Sequence, residues 1–335
     1  MGKVPLKRIA ILRALPGLGD FLCTVPALRS LRAAFPQAEI VLIGVPSVKL
    51  LVERFKHYLD ELVEFPGYPG LPEVPVQPPE IPAFLQVVQQ QRFDLAIQMH
   101  GSGVITNPLT VLLGAKYSTG FFMPGYYCPD EIRFLPYLPY ESEVRRYLRL
   151  LEFLGIPSQG KELEFPLWPE DKEALLTIDE VRQLTPGSYA CIHPGASTPT
   201  RRWSPEGFAA VADALAARGF TIVITGTAKE AELTAKVASL MESPSLNLAG
   251  RTNLGALAVL LKNARLLICN DTGVSHLAAA LKLPSVIVFT QSDPSRWAPL
   301  DSDRHRAIYH TNDTTTATAI AEALDLLEKY TASTR

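Results

Sequence analysis

The stretch ICNDTGVSHLAAAL, Ile268 to Leu281, decides how this chain folds. The apolar run Leu266 to Cys269 suits a buried parallel strand, and Asp271 is a good N-cap for a helix beginning at Thr272. At helical spacing Val274, Leu277, Ala278 and Leu281 line one face, while Thr272, Ser275 and His276 share the opposite face of the first turns. One face packs and the other offers hydrogen-bond donors. Gly273 removes a side chain where free backbone N–H groups and the positive end of the helix dipole are exposed, which suits a phosphorylated ligand. The alternative is an ordinary capped helix whose His276 is satisfied by a neighbour.

This strand-to-helix step belongs to a longer alternation. KRIAILRAL, EIVLIGV and FDLAIQMH read as strands in the first half, with helices from about Asp20 to Phe35, around Pro108 to Leu113 and near Ser142 to Leu154. YACIHPG, FTIVITG, LNLAG and LLICN restart the pattern, with helices at Pro205 to Arg218, Ala228 to Met241 and Leu254 to Lys262. The expectation is an α/β protein of two doubly wound, Rossmann-like parallel sheets facing across a cleft, each taking ligand at the carboxyl ends of its strands. A length of 335 residues also exceeds one ordinary core. The expected boundaries are a first domain over 1–160, a linker over 161–186 and a second domain over 187–312. A final helix within 313–335 is left open to pack back on the first domain. Seven prolines between Pro66 and Pro82 exclude regular helix or central strand there and suggest an inert surface excursion.

Composition narrows the function. With 32 Lys+Arg against 34 Asp+Glu and a pI near 6.3, the chain lacks the basic excess of a nucleic-acid binder. The apolar run Ile9 to Leu12, flanked by Arg8 and Arg13, is too short for a signal peptide, and no run is long enough to span a bilayer. Cys23, Cys128, Cys191 and Cys269 are far apart and lack metal-ligand spacing, which fits a reduced, cytoplasmic protein.

Three loops carry candidate chemistry. In ALPGLGDFLCTVPAL, Gly17-Leu18-Gly19 opens like a dinucleotide fingerprint, but Leu22 replaces its third glycine and no acidic residue follows the second strand, so a nicotinamide site is rejected. Asp20 is then either a helix cap or a carboxylate able to take a proton from a hydroxyl. In HPGASTPTRRW, Ser197, Thr198, Thr200, Arg201 and Arg202 suit a diphosphate, or are a solvated loop. In VITGTAKEAEL, Gly226 ends a strand and Glu230 and Glu232 either accept ribose hydroxyls or merely face the helix dipole. Asp301-Ser302-Asp303 has a divalent-metal spacing but sits among Arg304 and Arg306, so a solvated loop is expected and no metal site. Ser275 beside His276 on one helix does not build a serine triad.

PGLGDFLCTVPALRSLRAAFP, FDLAIQMHGSG with LLGAKYSTGF, HPGASTPTRRWSPEGF, VITGTAKEAEL and NDTGVSHLAAALKLPSVIVFTQSDPSRWAP together resemble glycosyltransferase family 9, the ADP-heptose:lipopolysaccharide heptosyltransferases. The resemblance runs nearly end to end. It implies the GT-B fold, with acceptor on the N-terminal domain and nucleotide sugar on the C-terminal one. It implies Asp20 as general base and Ser197, Thr198 and Arg201 at the diphosphate, with arginine where relatives carry lysine. It implies Thr272, Gly273, Ser275 and His276 at the phosphates or sugar, and Gly226, Glu230 and Asp271 at the nucleoside and sugar.

The implied partners are ADP-heptose as donor and a lipid-linked anionic oligosaccharide, a lipopolysaccharide core or related glycan, as acceptor. Peripheral contact with the inner face of a membrane follows from such an acceptor, with no nucleic acid and no cofactor. Arg29, Arg32, Arg145, Arg146 and Arg149 are candidates for the anionic acceptor. The competing functions are a nucleotide-sugar-binding module without transfer and a nucleotide-sugar hydrolase.

Overall fold

A computed structural model describes residues 6–310 and 315–331 and divides the chain after Lys161 into two compact units, Met1–Lys161 and Glu162–Arg335. The first unit holds six strands, β1 Arg8–Leu12, β2 Glu39–Gly44, β3 Glu61–Glu64, β4 Leu95–Gln98, β5 Tyr117–Phe122 and β6 Phe134–Pro136, ordered β3-β2-β1-β4-β5-β6. All neighbours are parallel. Residues Ile9–Leu12 and Ile40–Ile43 are buried throughout, as expected of strands covered by helices on both faces. Strand order reverses between β1 and β4, and such a reversal opens the crevice in which doubly wound sheets take ligand.

The second unit repeats this plan. Its strands are β7 Tyr189–His193, β8 Thr221–Ile224, β9 Ser245–Asn247, β10 Leu266–Asn270, β11 Ser285–Phe289 and β12 His305–Tyr309. They run parallel in the order β12-β11-β10-β7-β8-β9, which reverses between β7 and β10. The two doubly wound sheets are those the alternation predicts. Five strands lie outside the predicted runs. Charged residues break up the apolar character of β3 and β12, β6 is only three residues long, and β5 begins with polar residues. The fully buried β11 is as apolar as β10.

Several expected boundaries are corrected. The helix expected over Asp20 to Phe35 is two helices, Leu18–Leu22 and Val25–Ala34, because Pro26 has no N–H to continue the ladder. Thr24 Oγ1 closes the first by donating to Phe21 O at 2.6 Å. The segment 161–186 is not a linker. It carries the helix Pro169–Leu176, which packs on the helix Leu254–Asn263 of the second unit, with Leu175, Ile178 and Val181 buried.

The final helix, Thr315–Thr331, sets Ala319, Ala323, Leu326 and Leu327 into the second unit's core beside Val286, Val288 and Ile308. Its apolar face, the side left open to meet the first domain, is used within its own unit. Among the described residues no helix is long and apolar enough to cross a membrane, and no group of three or more His, Cys, Asp or Glu could hold a metal ion.

Candidate functional site

The reversal in the second sheet brings two loops together, Pro194–Arg202 after β7 and Asp271–Thr272 after β10. The fully buried Asn270 joins them. Its Nδ2 donates to Pro194 O at 2.7 Å and Gly195 O at 3.4 Å, and its Oδ1 accepts from Trp203 N at 2.8 Å. One amide therefore pins both ends of the β7 loop. Arg202 closes that loop from within, with Nε and Nη2 donating to Ala196 O at 3.0 and 2.9 Å. Thr200 Oγ1 donates to Gln291 Oε1 at 2.6 Å, Thr290 Oγ1 to Thr200 O at 2.9 Å, and Ser292 Oγ to Asp271 Oδ2. The segments after β7, β10 and β11 thus form one hydrogen-bonded rim.

The arginine pair divides within this rim. Arg202 is committed to the loop, whereas the half-buried Arg201 guanidinium makes no hydrogen bond or ion pair to any described residue. Ser197 and Thr198 beside it are exposed. A cation without a protein partner, next to exposed hydroxyls, is suited to an anionic ligand.

The neighbouring helix runs Gly273–Leu281 and its cap is Thr272, which corrects the expected Asp271 cap. Asp271 N still donates to Val288 O at 3.1 Å, so the chain leaves the sheet one residue later than its sequence suggests. No side chain caps the helix start, which leaves its first N–H groups and dipole for a ligand. The polar face differs from expectation. Ser275 is fully buried and its hydroxyl donates to Thr272 O at 2.7 Å, while His276 is buried with its ring edge against Trp297, centroids 6.2 Å apart. Thr272 and Gly273 are partly exposed.

At the end of β8, Glu230 is buried and Glu232 exposed. Glu230 Oε2 accepts from Thr227 N at 2.8 Å and from Thr227 Oγ1 at 2.9 Å, a capping box that uses one face of the carboxylate. Its Oε1 lies against Gly195, where a Cβ would stand 2.2 Å away, so only glycine lets this carboxylate reach the β7 loop. Gly226 lies beside Glu230 and Thr234. His193, at the end of β7, is held by Thr225 Oγ1 at 3.0 Å. Burial pulls its imidazole down to about 4, with Glu230 pulling the other way.

In the first unit Asp20 is not a helix cap. Gly17 holds that position, and the Asp20 carboxylate folds back so that Oδ2 would be 2.2 Å from a Cβ at residue 17. Its Oδ1 stands 3.7 Å from Arg13 Nη2. Arg13 is buried and donates to Met99 O at 2.6 Å, Tyr147 Oη at 2.5 Å and Asp20 O at 2.6 Å, and Tyr147 Oη donates in turn to Glu143 Oε2 at 2.9 Å. Burial alone would pull the guanidinium down, but Tyr147, Asp20 and Glu143 hold it above its ordinary value. Asp20 is thus a partly exposed carboxylate held at the crevice beyond β1 by a permanently charged partner.

Most of the basic acceptor candidates are engaged. Arg146 stacks 4.1 Å above Tyr137 and donates to Leu138 O and Glu141 O, Arg149 pairs with Glu141, and Arg32 with Asp60. Arg29 reaches Tyr58 Oη at 3.3 Å, and Arg145 is exposed without a described partner. Asp301 and Asp303 pair with Arg304 and with Arg306 and Lys329.

The sequence reading misses Asn270, Gln291, Ser292, Arg13 and Tyr147. Only Asn270 carries a local signal, as a polar side chain ending a fully apolar strand.

Residues 81–326 match the model of a family described as Glycosyltransferase family 9 (heptosyltransferase). Lipopolysaccharide heptosyltransferase 2 of Escherichia coli (strain K12) is 26% identical over 294 residues, spanning 84% of this chain and 83% of that protein. Two solved structures have the same fold. The glycosyl transferase family 9 protein of Veillonella parvula DSM 2008 has a TM-score of 0.79 and 21% identity, and covers 97% of this chain and 99% of its own. The E. coli ADP-heptose lps heptosyltransferase II has a TM-score of 0.74, also at 21% identity and with 97% and 99% coverage.

Proposed function

Since the chain belongs to glycosyltransferase family 9 and is a glycosyltransferase, we propose that it moves heptose from ADP-heptose onto a lipopolysaccharide core or related glycan, with inversion and without a metal. The observation that carries the proposal is the Arg201 guanidinium, without a partner among the described residues, on the hydrogen-bonded rim that also carries the uncapped helix start at Gly273. The donor's diphosphate leaves with its charge growing as the anomeric bond breaks. Arg201, the exposed hydroxyls of Ser197 and Thr198, and the N–H groups at Thr272 and Gly273 supply fixed positive charge and donors for it. Glu230, reaching the β7 loop past Gly195, suits the ribose hydroxyls through the carboxylate face its capping box leaves open, with Gly226 beside it. Asp271, Ser275 and His276 shape that donor pocket from behind, since their polar atoms lie largely inside the fold.

Asp20 is assigned as the general base that removes the proton from the acceptor hydroxyl, an assistance that typically contributes about 10²–10⁴-fold. A single displacement at the anomeric carbon inverts its configuration. Arg13 stands 3.7 Å from the carboxylate and holds it at the crevice, and Arg145 is the remaining candidate for an anionic acceptor group. We place the reaction in the cytoplasm with the protein touching the membrane peripherally. Exposed Tyr126, Ile132 and Tyr140 on the first unit support that contact.

Purified protein given ADP-heptose and a lipopolysaccharide core glycan should form a new glycoside of inverted anomeric configuration, with or without excess EDTA. Free heptose with ADP as the only products would identify a hydrolase. Donor binding without turnover would identify a binding module. Loss of transfer in EDTA, restored by magnesium or manganese, would refute metal independence.

A further inference from the structure

The proline-rich segment 66–82, expected to be an inert excursion, reaches into the first unit. Leu71 is buried, and the carboxylate of Glu73 turns inward to His100, with Oε1 3.2 Å from Nε2. His100 stands just past the end of β4, and Ala14 just past the end of β1, so the two residues flank the reversal in strand order. Ala14 N donates to His100 Nδ1 at 3.2 Å. That bond makes Nδ1 an acceptor and puts the imidazole proton on Nε2, where it points at Glu73. Burial holds His100 below its ordinary pKa against the opposing pull of Glu73, in keeping with this neutral tautomer.

The pair leaves one group unanswered. Glu73 Oε2 is buried and has no hydrogen-bond partner among the described residues. A buried carboxylate oxygen without a donor is costly, and more so than a neutral group. Three of its features together indicate a ligand. It is held in a fixed orientation by His100. It lies at the strand-order reversal, where doubly wound sheets bind ligands. It also shares that crevice with Asp20, whose helix follows β1. An acceptor of O–H hydrogens, fixed and shielded from water, suits a sugar hydroxyl and repels a phosphate.

We propose that Glu73, oriented by His100, binds a hydroxyl of the acceptor glycan through Oε2, and that the proline-rich segment is the strap that brings this carboxylate to the crevice. The inference rests on the reading of the protein as a glycan-transferring enzyme. Proline fits the role, because a chain with fixed φ loses less entropy when it is held in one path.

The test is Glu73→Gln. The amide oxygen can still accept from His100 Nε2, while an NH2 replaces Oε2, so an acceptor becomes a donor at one point. With ADP-heptose and lipopolysaccharide core glycan as substrates, the KM for the glycan should rise about 10- to 100-fold. The KM for ADP-heptose and the melting temperature should stay at wild-type values, and kcat should change far less than the glycan KM. Glu73→Ala, which removes the carboxylate altogether, should raise the glycan KM at least as much. A glycan KM unchanged in both variants, with transfer intact, overturns the subsite and leaves the proposed function standing. A wild-type protein that neither binds nor glycosylates the glycan overturns both. Parallel rises in the KM for glycan and donor, with a lowered melting temperature, overturn the subsite in favour of a structural role for the pair.

Discussion

Replacing Asp20 with Asn separates the chemistry assigned to this carboxylate from its part in holding the first unit together. The structural cost is bounded by the pair with Arg13. At 3.7 Å and an effective dielectric of about 20, the gross attraction is about 4 kcal/mol. Asp20 is partly exposed, and Arg13 keeps its hydrogen bonds to Met99 O, Tyr147 and the Asp20 backbone as well as the nearby charge of Glu143. Asn preserves the shape that lies against Gly17. The net loss should therefore be about 1–2 kcal/mol, a melting shift of a few degrees.

Catalysis should lose more. Removing the base should lower kcat by about 10²–10⁴-fold, or about 3–5 kcal/mol in the barrier. Donor affinity, which depends on the second unit, should be untouched. Melting curves, donor titration calorimetry and initial rates at saturating substrates measure the three quantities separately. A mutant with wild-type kcat and a melting shift of the expected size would refute the assignment and leave Asp20 as a partner for Arg13. Loss of donor affinity in step with rate would point to general damage.

Arg201→Ala should raise the donor KM and lower kcat together about 10- to 100-fold without changing the melting temperature. Arg202→Ala, which removes two bonds to Ala196 O, should instead lower stability by about 1–2 kcal/mol, and melting curves beside donor kinetics will tell the two apart. Glu230→Gln keeps an acceptor for Thr227 but weakens the ribose contact, so calorimetry should show donor binding weaker by about 1–3 kcal/mol while the saturated rate barely moves. His193 and His305 are each pulled by burial from 6.5 to about 4. Between those values the unfolded chain binds more protons than the folded one, so stability should fall as pH drops from 6.5 toward 4, by about 3 kcal/mol per histidine at the limit. Urea midpoints for the second unit's transition across that range will show it, and a flat profile would refute the burial argument.

Local sequence determined much of this protein because its signals are local in origin. Apolar runs such as RIAIL and LLICN must be buried on both faces, so they predict parallel strands, and their alternation with amphipathic helices predicts two doubly wound sheets. Ser204 and Pro205 announce the helix Pro205–Ala216, and Ser204 Oγ accepts from Gly207 N at 3.1 Å. Glycines, hydroxyls and arginines at strand ends mark the loops that become the rim.

What each of those residues does depended on partners distant in sequence. Nothing local distinguishes Arg201 from Arg202, and only the fold sends one to Ala196 and leaves the other without a partner among the described residues. The extra sheet bond from Asp271 N to Val288 O, made across 17 residues, moved the helix cap to Thr272. His276 and Ser275 look like surface donors on a helical wheel but are covered by neighbouring segments, Trp297 among them. Glu73 shows the limit most plainly. Proline spacing predicts an irregular segment correctly only as far as Pro79, because the helix Glu80–Gln90 takes Pro82 into its first turn, where a missing N–H costs nothing. Whether the irregular part lies on the surface or dips inward is set by what it meets, and His100 lies 27 residues from Glu73.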